Sequence, residues 1–200
     1  MWIRLAAERV TAEADRLTAL DAAIGDGDHG HNLERGFAAA VAALPELPEG
    51  MPPGKVLVAA GRAIISKTGG ASGPLYGTAL RRAGKALGEA GEIDAAGLGA
   101  ALRAALEGVQ ELGKAVEGDK TLVDALGPAV AAYESTLTAG GDLAACTRAA
   151  ADAAREGAEA TIPLQARKGR ASYLGERSVG HMDPGASSTT LILEALADAV

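Results

Sequence analysis

Residues 121–137 read TLVDALGPAVAAYESTL and carry the most regular apolar pattern of the chain. Large apolar residues recur there at spacings of three and four: Leu122, Leu126, Val130, Tyr133 and Leu137. This period places side chains on one face of an α-helix. The stretch opens with Thr121 and has Asp124 three residues later, a pair similar to the capping box that begins many helices. We therefore predict an amphipathic helix that packs against a core.

The same period recurs on both sides of this stretch. We predict eight helices, covering residues 3–21, 32–44, about 55–67, 74–88, 98–112, 121–137, about 142–162 and 186–200. No segment has the pattern of a strand. The mostly short connections favour an all-α fold, either a bundle or a closed barrel of antiparallel helices, formed by residues 1–200 as one domain.

Composition agrees with a helical core and limits the classes of function. Hydrophobic residues make up 48% of the chain and aromatic residues only 2%, so the core must consist mainly of Ala, Leu, Val and Ile. The net charge of -7 argues against a nucleic-acid-binding surface. No stretch reaches the roughly 20 apolar residues of a membrane span, so we expect a cytoplasmic protein that does not contact a membrane. Cys146 is the single cysteine and cannot form an internal disulfide.

Residues 21–32, DAAIGDGDHGHN, place three aspartates and three glycines directly before a helix. Carboxylates suit Mg²⁺, and the exposed N–H groups at the start of the next helix suit phosphate. An ordinary polar turn is the simpler explanation of an isolated Asp-Gly-Asp. Asp21 continues the apolar stripe of the first helix, which favours an inward-facing site. An EF-hand is excluded, because counting from Asp26 the sixth residue is His31 and the twelfth is Phe37.

Two further segments could bind phosphate. Residues 69–73, GGASG, form a glycine-rich stretch before a helix. The preceding residues 61–68, GRAIISKT, approach a Walker motif but lack its second glycine and its strand. Residues 165–185 form a long basic segment that either neutralises phosphates, lies solvated or docks an acidic partner. Of the three histidines, His29 is favoured by its position next to the aspartates.

Four segments resemble one family, the L subunit of dihydroxyacetone kinase, which also occurs as the C-terminal nucleotide domain of single-chain dihydroxyacetone kinases. The segments are residues 21–32, 69–77 (GGASGPLYG), 118–126 (GDKTLVDAL) and 161–185 (TIPLQARKGRASYLGERSVGHMDPG). The resemblance implies a barrel of eight antiparallel helices that binds ADP or ATP and two Mg²⁺ ions at one end.

The resemblance also implies site residues. The metal ligands fall on Asp21, Asp26 and Asp28. The nucleotide contacts fall on His29, Gly30, His31, Asn32, Ala71, Ser72, Gly113, Leu122, Arg170, Asp183, Pro184 and Gly185. Arg170 is the candidate for positioning the transferred phosphate.

The implied activity is phosphoryl transfer from Mg-bound nucleotide to dihydroxyacetone held on a separate K subunit. In members of the phosphotransferase type, a separate M subunit rephosphorylates bound ADP, and the free-standing domain favours this type. Three alternatives stay open: a subunit of a kinase that exchanges ATP freely, a regulatory module that contacts a transcription regulator, and a metal-dependent phosphohydrolase. A fatty-acid-kinase nucleotide domain is a related possibility, but the chain is too short for that enzyme's additional domains.

Overall fold

The computed structural model describes all 200 residues and contains nine α-helices, two 3-10 segments and no strand, which confirms the predicted all-α class. The α-helices are α1 (Trp2–Ala12), α2 (Ala14–Ile24), α3 (His29–Ala43), α4 (Pro53–Lys67), α5 (Ser72–Leu87), α6 (Ala95–Gly113), α7 (Val123–Thr138), α8 (Leu143–Ala160) and α9 (Pro184–Asp198). The 3-10 segments are Leu44–Glu46 and Arg170–Ser178.

The first predicted helix is divided in two. At Glu13 the backbone leaves the α-region (φ -109°, ψ 7°), so α1 ends at Ala12 and α2 begins at Ala14. Apolar periodicity continues across this residue, so the break left no signal in the pattern. When α1 and α2 are counted as one bent unit, the predicted number of eight is recovered.

Local signals define several helix ends. Asp94 and Asp142 each accept a hydrogen bond from a backbone N–H in the first turn of α6 and α8, respectively. The predicted pair before α7 forms in part: the Asp124 carboxylate accepts from the Thr121 N–H at 2.7 Å, and the Thr121 hydroxyl accepts from the Val123 N–H at 3.1 Å. The α-helix itself begins two residues later than Thr121.

The helices form a closed ring. Helix α1 contacts α3, each helix from α3 to α8 contacts the next, and α9 contacts α1. Helix α2 packs against α3 and α9 and also contacts the segment Arg170–Ser178. Short links join consecutive helices from α3 to α8, so these helices alternate in direction, whereas the long segment of residues 161–183 joins α8 to α9. Helices α3, α5 and α7 therefore begin at the same end of the ring, and the first residues of α9 line the same cavity there.

Small residues allow the ring to close. A Cβ atom on Gly77 of α5 would lie 2.6 Å from the Gly61 carbonyl oxygen of α4, and a Cβ on Gly84 would lie 2.3 Å from the Gly54 oxygen. Helices α4 and α5 thus touch backbone to backbone. Tyr133 and Phe37 are the largest aromatic side chains that are fully buried. None of the helices is both long enough and apolar enough to span a bilayer.

Candidate functional site

A cavity of about 300 Å³ lies at the end of the ring where α3, α5, α7 and α9 begin. Its wall includes His29, Ser72 and Pro184, the first residues of α3, α5 and α9, and Leu122, which precedes α7. Helix N-termini carry unpaired N–H groups and the positive end of the helix dipole. Several such ends around one cavity favour an anionic ligand.

The three predicted metal ligands meet in this cavity. Asp21 lies on the last turn of α2, and Asp26 and Asp28 lie in the link to α3. One carboxylate oxygen from each residue lies within 4.8 Å of the other two. Three negative charges at this spacing repel one another, and a hard divalent cation with oxygen ligands would compensate that repulsion. The donor set therefore fits Mg²⁺.

Asp21 also shapes the link that carries the other two aspartates. Its Oδ2 accepts backbone N–H bonds from Asp28 at 2.9 Å and from His29 at 3.3 Å. A Cβ on Gly25 would lie 2.2 Å from Asp21 Oδ1, so a larger residue here would displace the Asp21 carboxylate. Gly27 has φ +72°, a conformation that glycine adopts without strain. The glycines predicted with the aspartates are thus explained by the path of the backbone.

The basic segment reaches the aspartates. Arg170 Nε lies 2.9 Å from Asp26 Oδ2, and Lys168, Gly169 and Arg170 all line the cavity. The segment has more structure than predicted, because Arg170–Ser178 forms 3-10 turns with a kink at Gly175. The Arg170 side chain is 70% exposed, so its guanidinium is accessible to a ligand in the cavity.

A buried network of hydrogen bonds fixes the floor of the cavity. The two ring nitrogens of His29 bond Ser72 Oγ (3.0 Å) and Ser188 Oγ (2.8 Å) and so connect α3 with α5 and α9. Tyr76 Oη contacts Ser188 Oγ at 2.7 Å. Burial lowers the pKa of His29 against the opposing charges of Asp21 and Asp28, and burial raises the pKa of Tyr76 to about 12. Burial thus favours the uncharged form of both side chains.

Asp183 begins α9 as a buried cap. Its Oδ2 accepts from the Ala186 N–H at 2.7 Å, and its own N–H donates to Thr161 Oγ1 at 2.9 Å. Burial raises the pKa of Asp183 to about 7, and the nearby charge of Lys120 opposes this effect. Gly185 lies close to Leu122, so the residues 183–185 and Leu122 form one continuous part of the wall.

Most of the predicted site residues line the cavity: Asp21, Asp26, Asp28, His29, Ala71, Ser72, Gly113, Leu122, Arg170, Asp183, Pro184 and Gly185. Gly30, His31 and Asn32 lie outside its wall.

Each of the three has another environment. A Cβ on Gly30 would lie 1.9 Å from the Ala14 carbonyl oxygen, so this residue lets α3 approach α2. The half-exposed His31 lies 3.5 Å from Asp15. Asn32 is buried, and its side chain accepts a hydrogen bond from Arg35.

Lys120 is a wall residue that the sequence did not single out, although it lies within the motif of residues 118–126. Its side chain is almost fully buried, with 1% exposure, and its ammonium group bonds backbone carbonyls. Burial lowers the pKa of Lys120, and the charges of Asp183 and Asp124 oppose that shift. Its partners are 41 to 61 residues away in the chain, so no local pattern could have revealed the contact.

Comparisons with known proteins identify relatives of this chain. The profile of the DAK2 domain family matches residues 23–198. The chain is 40% identical over 196 residues to the PEP-dependent dihydroxyacetone kinase, ADP-binding subunit DhaL, of Escherichia coli strain K12, covering 98% of this chain and 93% of that protein. It is 42% identical over 196 residues to the PEP-dependent dihydroxyacetone kinase 1, ADP-binding subunit DhaL, of Listeria innocua, covering 98% and 92%.

A solved structure has the same fold. The crystal structure of the dihydroxyacetone kinase from C. freundii in complex with AMP-PNP and Mg²⁺ superposes with a TM-score of 0.72 and 27% sequence identity. The match covers 100% of this chain and 33% of that one. The helical ring thus corresponds to about a third of the C. freundii kinase chain.

Proposed function

Because this chain belongs to the DAK2 domain family, we propose that it is the ADP-binding subunit of a dihydroxyacetone kinase, with residues 1–200 acting as one domain. Its relatives carry that function by name and match it over nearly their full length. The observation in the molecule that best supports the proposal is the cluster of Asp21, Asp26 and Asp28, which shares one cavity with the N-termini of four helices.

Asp21, Asp26 and Asp28 would hold magnesium, and we expect two ions. Bound magnesium neutralises charge on the phosphates of a nucleotide. The expectation of Mg²⁺ and an adenine nucleotide has support from the C. freundii kinase, whose crystal structure is a complex with AMP-PNP and Mg²⁺. The carboxylates alone would repel phosphate, so the chain needs this compensation to bind a nucleotide.

Other residues of the wall suit the remaining parts of ADP. The N–H groups at Ala71, Ser72 and Gly185 can donate to phosphate oxygens, as helix N-termini do in many phosphate sites. Leu75, Val109 and Leu122 supply an apolar surface suited to a base.

Arg170 is the residue that we assign to positioning the transferred phosphoryl group. Its guanidinium is exposed at the cavity and can form two parallel hydrogen bonds to phosphate oxygens. Preorganised positive charge of this kind stabilises the negative charge that is distributed over the phosphoryl oxygens during transfer. Lys168, on the same wall, adds a second cation.

The acceptor would be supplied by another subunit. The relatives are subunits of kinases, which implies a dihydroxyacetone-binding K subunit as the partner. Their description as PEP-dependent favours a donor system in which an M subunit rephosphorylates the bound ADP. A transcription regulator that senses the nucleotide state is a further partner consistent with the same site.

Mass spectrometry under native and then denaturing conditions tests the proposal first. We expect ADP to copurify with the protein and to be released when magnesium is chelated. A protein that instead binds ATP reversibly would belong to an ATP-exchanging kinase, and a protein that binds neither nucleotide would contradict the proposal.

Site variants complete the test. Asp26→Ala should lower the affinity for Mg·ADP by at least about tenfold, the scale on which changes around metal ligands act. The matched control is Asp152→Ala, which removes a half-exposed aspartate of α8 outside the cavity. Equal affinities of the two variants in calorimetric titration would exclude Asp26 from the site.

A further inference from the structure

The Lys120 side chain occupies a cage of backbone carbonyl groups. It is 1% exposed, although lysine is rarely buried without a carboxylate partner. Its Nζ lies close to five carbonyl oxygens, those of His181 (2.5 Å), Ser178 (2.7 Å), Thr161 (3.0 Å), Leu164 (3.0 Å) and Ile162 (3.5 Å). An ammonium group has three N–H donors, fewer than the five oxygens around it. The oxygens therefore surround the positive charge on several sides, much as they would surround a metal ion.

The five carbonyls come from the two ends of a single loop. Three belong to residues 161–164 and two to residues 178 and 181, so the ammonium joins the start of the loop to its end. Two bonds close the same base: the Gly180 N–H donates to the Ile162 oxygen at 2.8 Å, and the Ala166 N–H donates to Ser178 Oγ at 2.9 Å. Lys168 and Arg170 lie between these ends, at the cavity.

The backbone at Lys120 is one that the turn itself would accommodate better with glycine. Lys120 has φ +62°, in the left-handed region that is unfavourable for a residue with a Cβ. Glycine would adopt this conformation without strain. This conformation costs Lys120 free energy that glycine would not lose, and the contacts of its buried side chain help to offset that cost.

We propose that Lys120 is a positioning residue for phosphoryl transfer, an internal cation that holds the loop of residues 161–181 so that Arg170 faces the nucleotide phosphates. It does not touch the substrates and acts through the loop. This role depends on the proposed function, because it assigns Arg170 to the phosphates.

The cage needs the positive charge of the Lys120 ammonium group as well as the volume of its side chain. An apolar side chain of similar length would fill the cage but would leave the carbonyl oxygens without a donor, and unpaired buried polar groups destabilise the arrangement that buries them. The loop would then move until water reached those oxygens, and Arg170 would move with it. Displacements of about 1 Å at a catalytic group lower rates by about 100-fold.

Chemical rescue tests the proposal with the full chain and its K subunit. Lys120→Ala removes the atoms of n-propylammonium and leaves space for that ion, whereas Lys120→Met keeps the space filled. Lys55→Ala, which removes an exposed lysine paired with Glu89, is the control. Both Lys120 variants should lose about 100-fold in kcat, with a smaller loss of Mg·ADP affinity. Added n-propylammonium should restore kcat in Lys120→Ala only, and tetramethylammonium, which has no N–H, should restore it in neither.

Wild-type kcat in Lys120→Met, or absence of rescue in a folded Lys120→Ala, would overturn the proposal. If the variants do not fold, hydrogen exchange in the wild-type protein decides. The Lys120 ammonium protons and the amides of residues 161–181 should then share one opening free energy, and independent opening would refute the role. This measurement needs no nucleotide, so it separates a failure of the Lys120 role from a failure of the proposed function.

Discussion

Replacing Asp28 by asparagine should have opposite effects on stability without and with magnesium. The Asp28 side chain caps no backbone N–H of α3, so Asp28→Asn removes a charge without removing a cap. In the metal-free protein, the substitution relieves repulsion from Asp21 and Asp26. In the presence of Mg·ADP, the same substitution removes a proposed metal ligand and so reduces the stabilisation that binding provides.

The size of the first effect follows from the spacing. At 4.8 Å, two unit charges repel by about 0.9 kcal/mol at the dielectric constant of water and by about 3.5 kcal/mol at an effective value of 20. Asp28 is exposed, so the lower figure applies to its repulsion from Asp21, and Arg170 beside Asp26 offsets the repulsion from that second carboxylate. The relief is therefore about 1 kcal/mol, which raises Tm by about 2–4 °C for a chain of this length.

Thermal unfolding in EDTA and in saturating Mg·ADP measures both effects. Asp28→Asn should unfold at a higher temperature than the wild type in EDTA and should gain less from Mg·ADP. Asp152→Asn, on the outer side of α8, should match the wild type within error in both conditions. A lower Tm in EDTA together with an unchanged gain from Mg·ADP would refute the electrostatic reasoning and the assignment of Asp28.

Three further predictions test other parts of the molecule. The raised pKa of Asp183, about 7 against about 3.9 when unfolded, means that the folded state prefers the protonated form, so the free energy of unfolding in EDTA should fall by up to about 4 kcal/mol between pH 4 and pH 7. Asp183→Asn should flatten this dependence in urea titrations at pH 5 and 8, and parallel profiles would contradict it. Arg170→Ala should slow phosphoryl transfer by about 100-fold or more while changing stability by less than about 1 kcal/mol. Arg167→Ala, outside the cavity, should leave both the transfer rate and the stability nearly unchanged. Gly77→Ala would place a Cβ 2.6 Å from a backbone oxygen of α4 and should cost about 1–3 kcal/mol in urea unfolding, while Gly91→Ala, with no atom within 4 Å, should be neutral.

The sequence predicted the helices well because their signal is local. Apolar residues at spacings of three and four identify each helix, and the all-α class follows from them. The errors lie where tertiary contacts decide. Helix α3 begins at residue 29 and not at residue 32, and the Asp21 carboxylate accepts two N–H bonds at that start. The division at Glu13 and the 3-10 turns of Arg170–Ser178 likewise have no periodic signal.

The candidate site was predictable to the extent that its residues are contiguous in the sequence. The aspartates stand within eight positions of one another, and their spacing already indicated a metal site. That residues 69–73 and 165–185 reach the same cavity followed only from the resemblance to a family. The buried network from His29 to Tyr76 joins residues 43 to 159 positions apart, and no single-sequence pattern reports such distances.

The charges of the cavity link metal binding to nucleotide binding. Asp26 pairs with Arg170, and the carboxylates of Asp21 and Asp28 oppose the entry of a phosphate. A divalent cation on the aspartates would compete with Arg170 for Asp26 and remove that repulsion. The guanidinium would then be free to pair with phosphate, which in turn adds negative charge near the cation and favours its retention. Under the proposed function, each ligand would thus raise the affinity for the other, as reciprocity of binding free energies requires. This coupling would favour retention of the nucleotide for as long as magnesium stays bound to the aspartates.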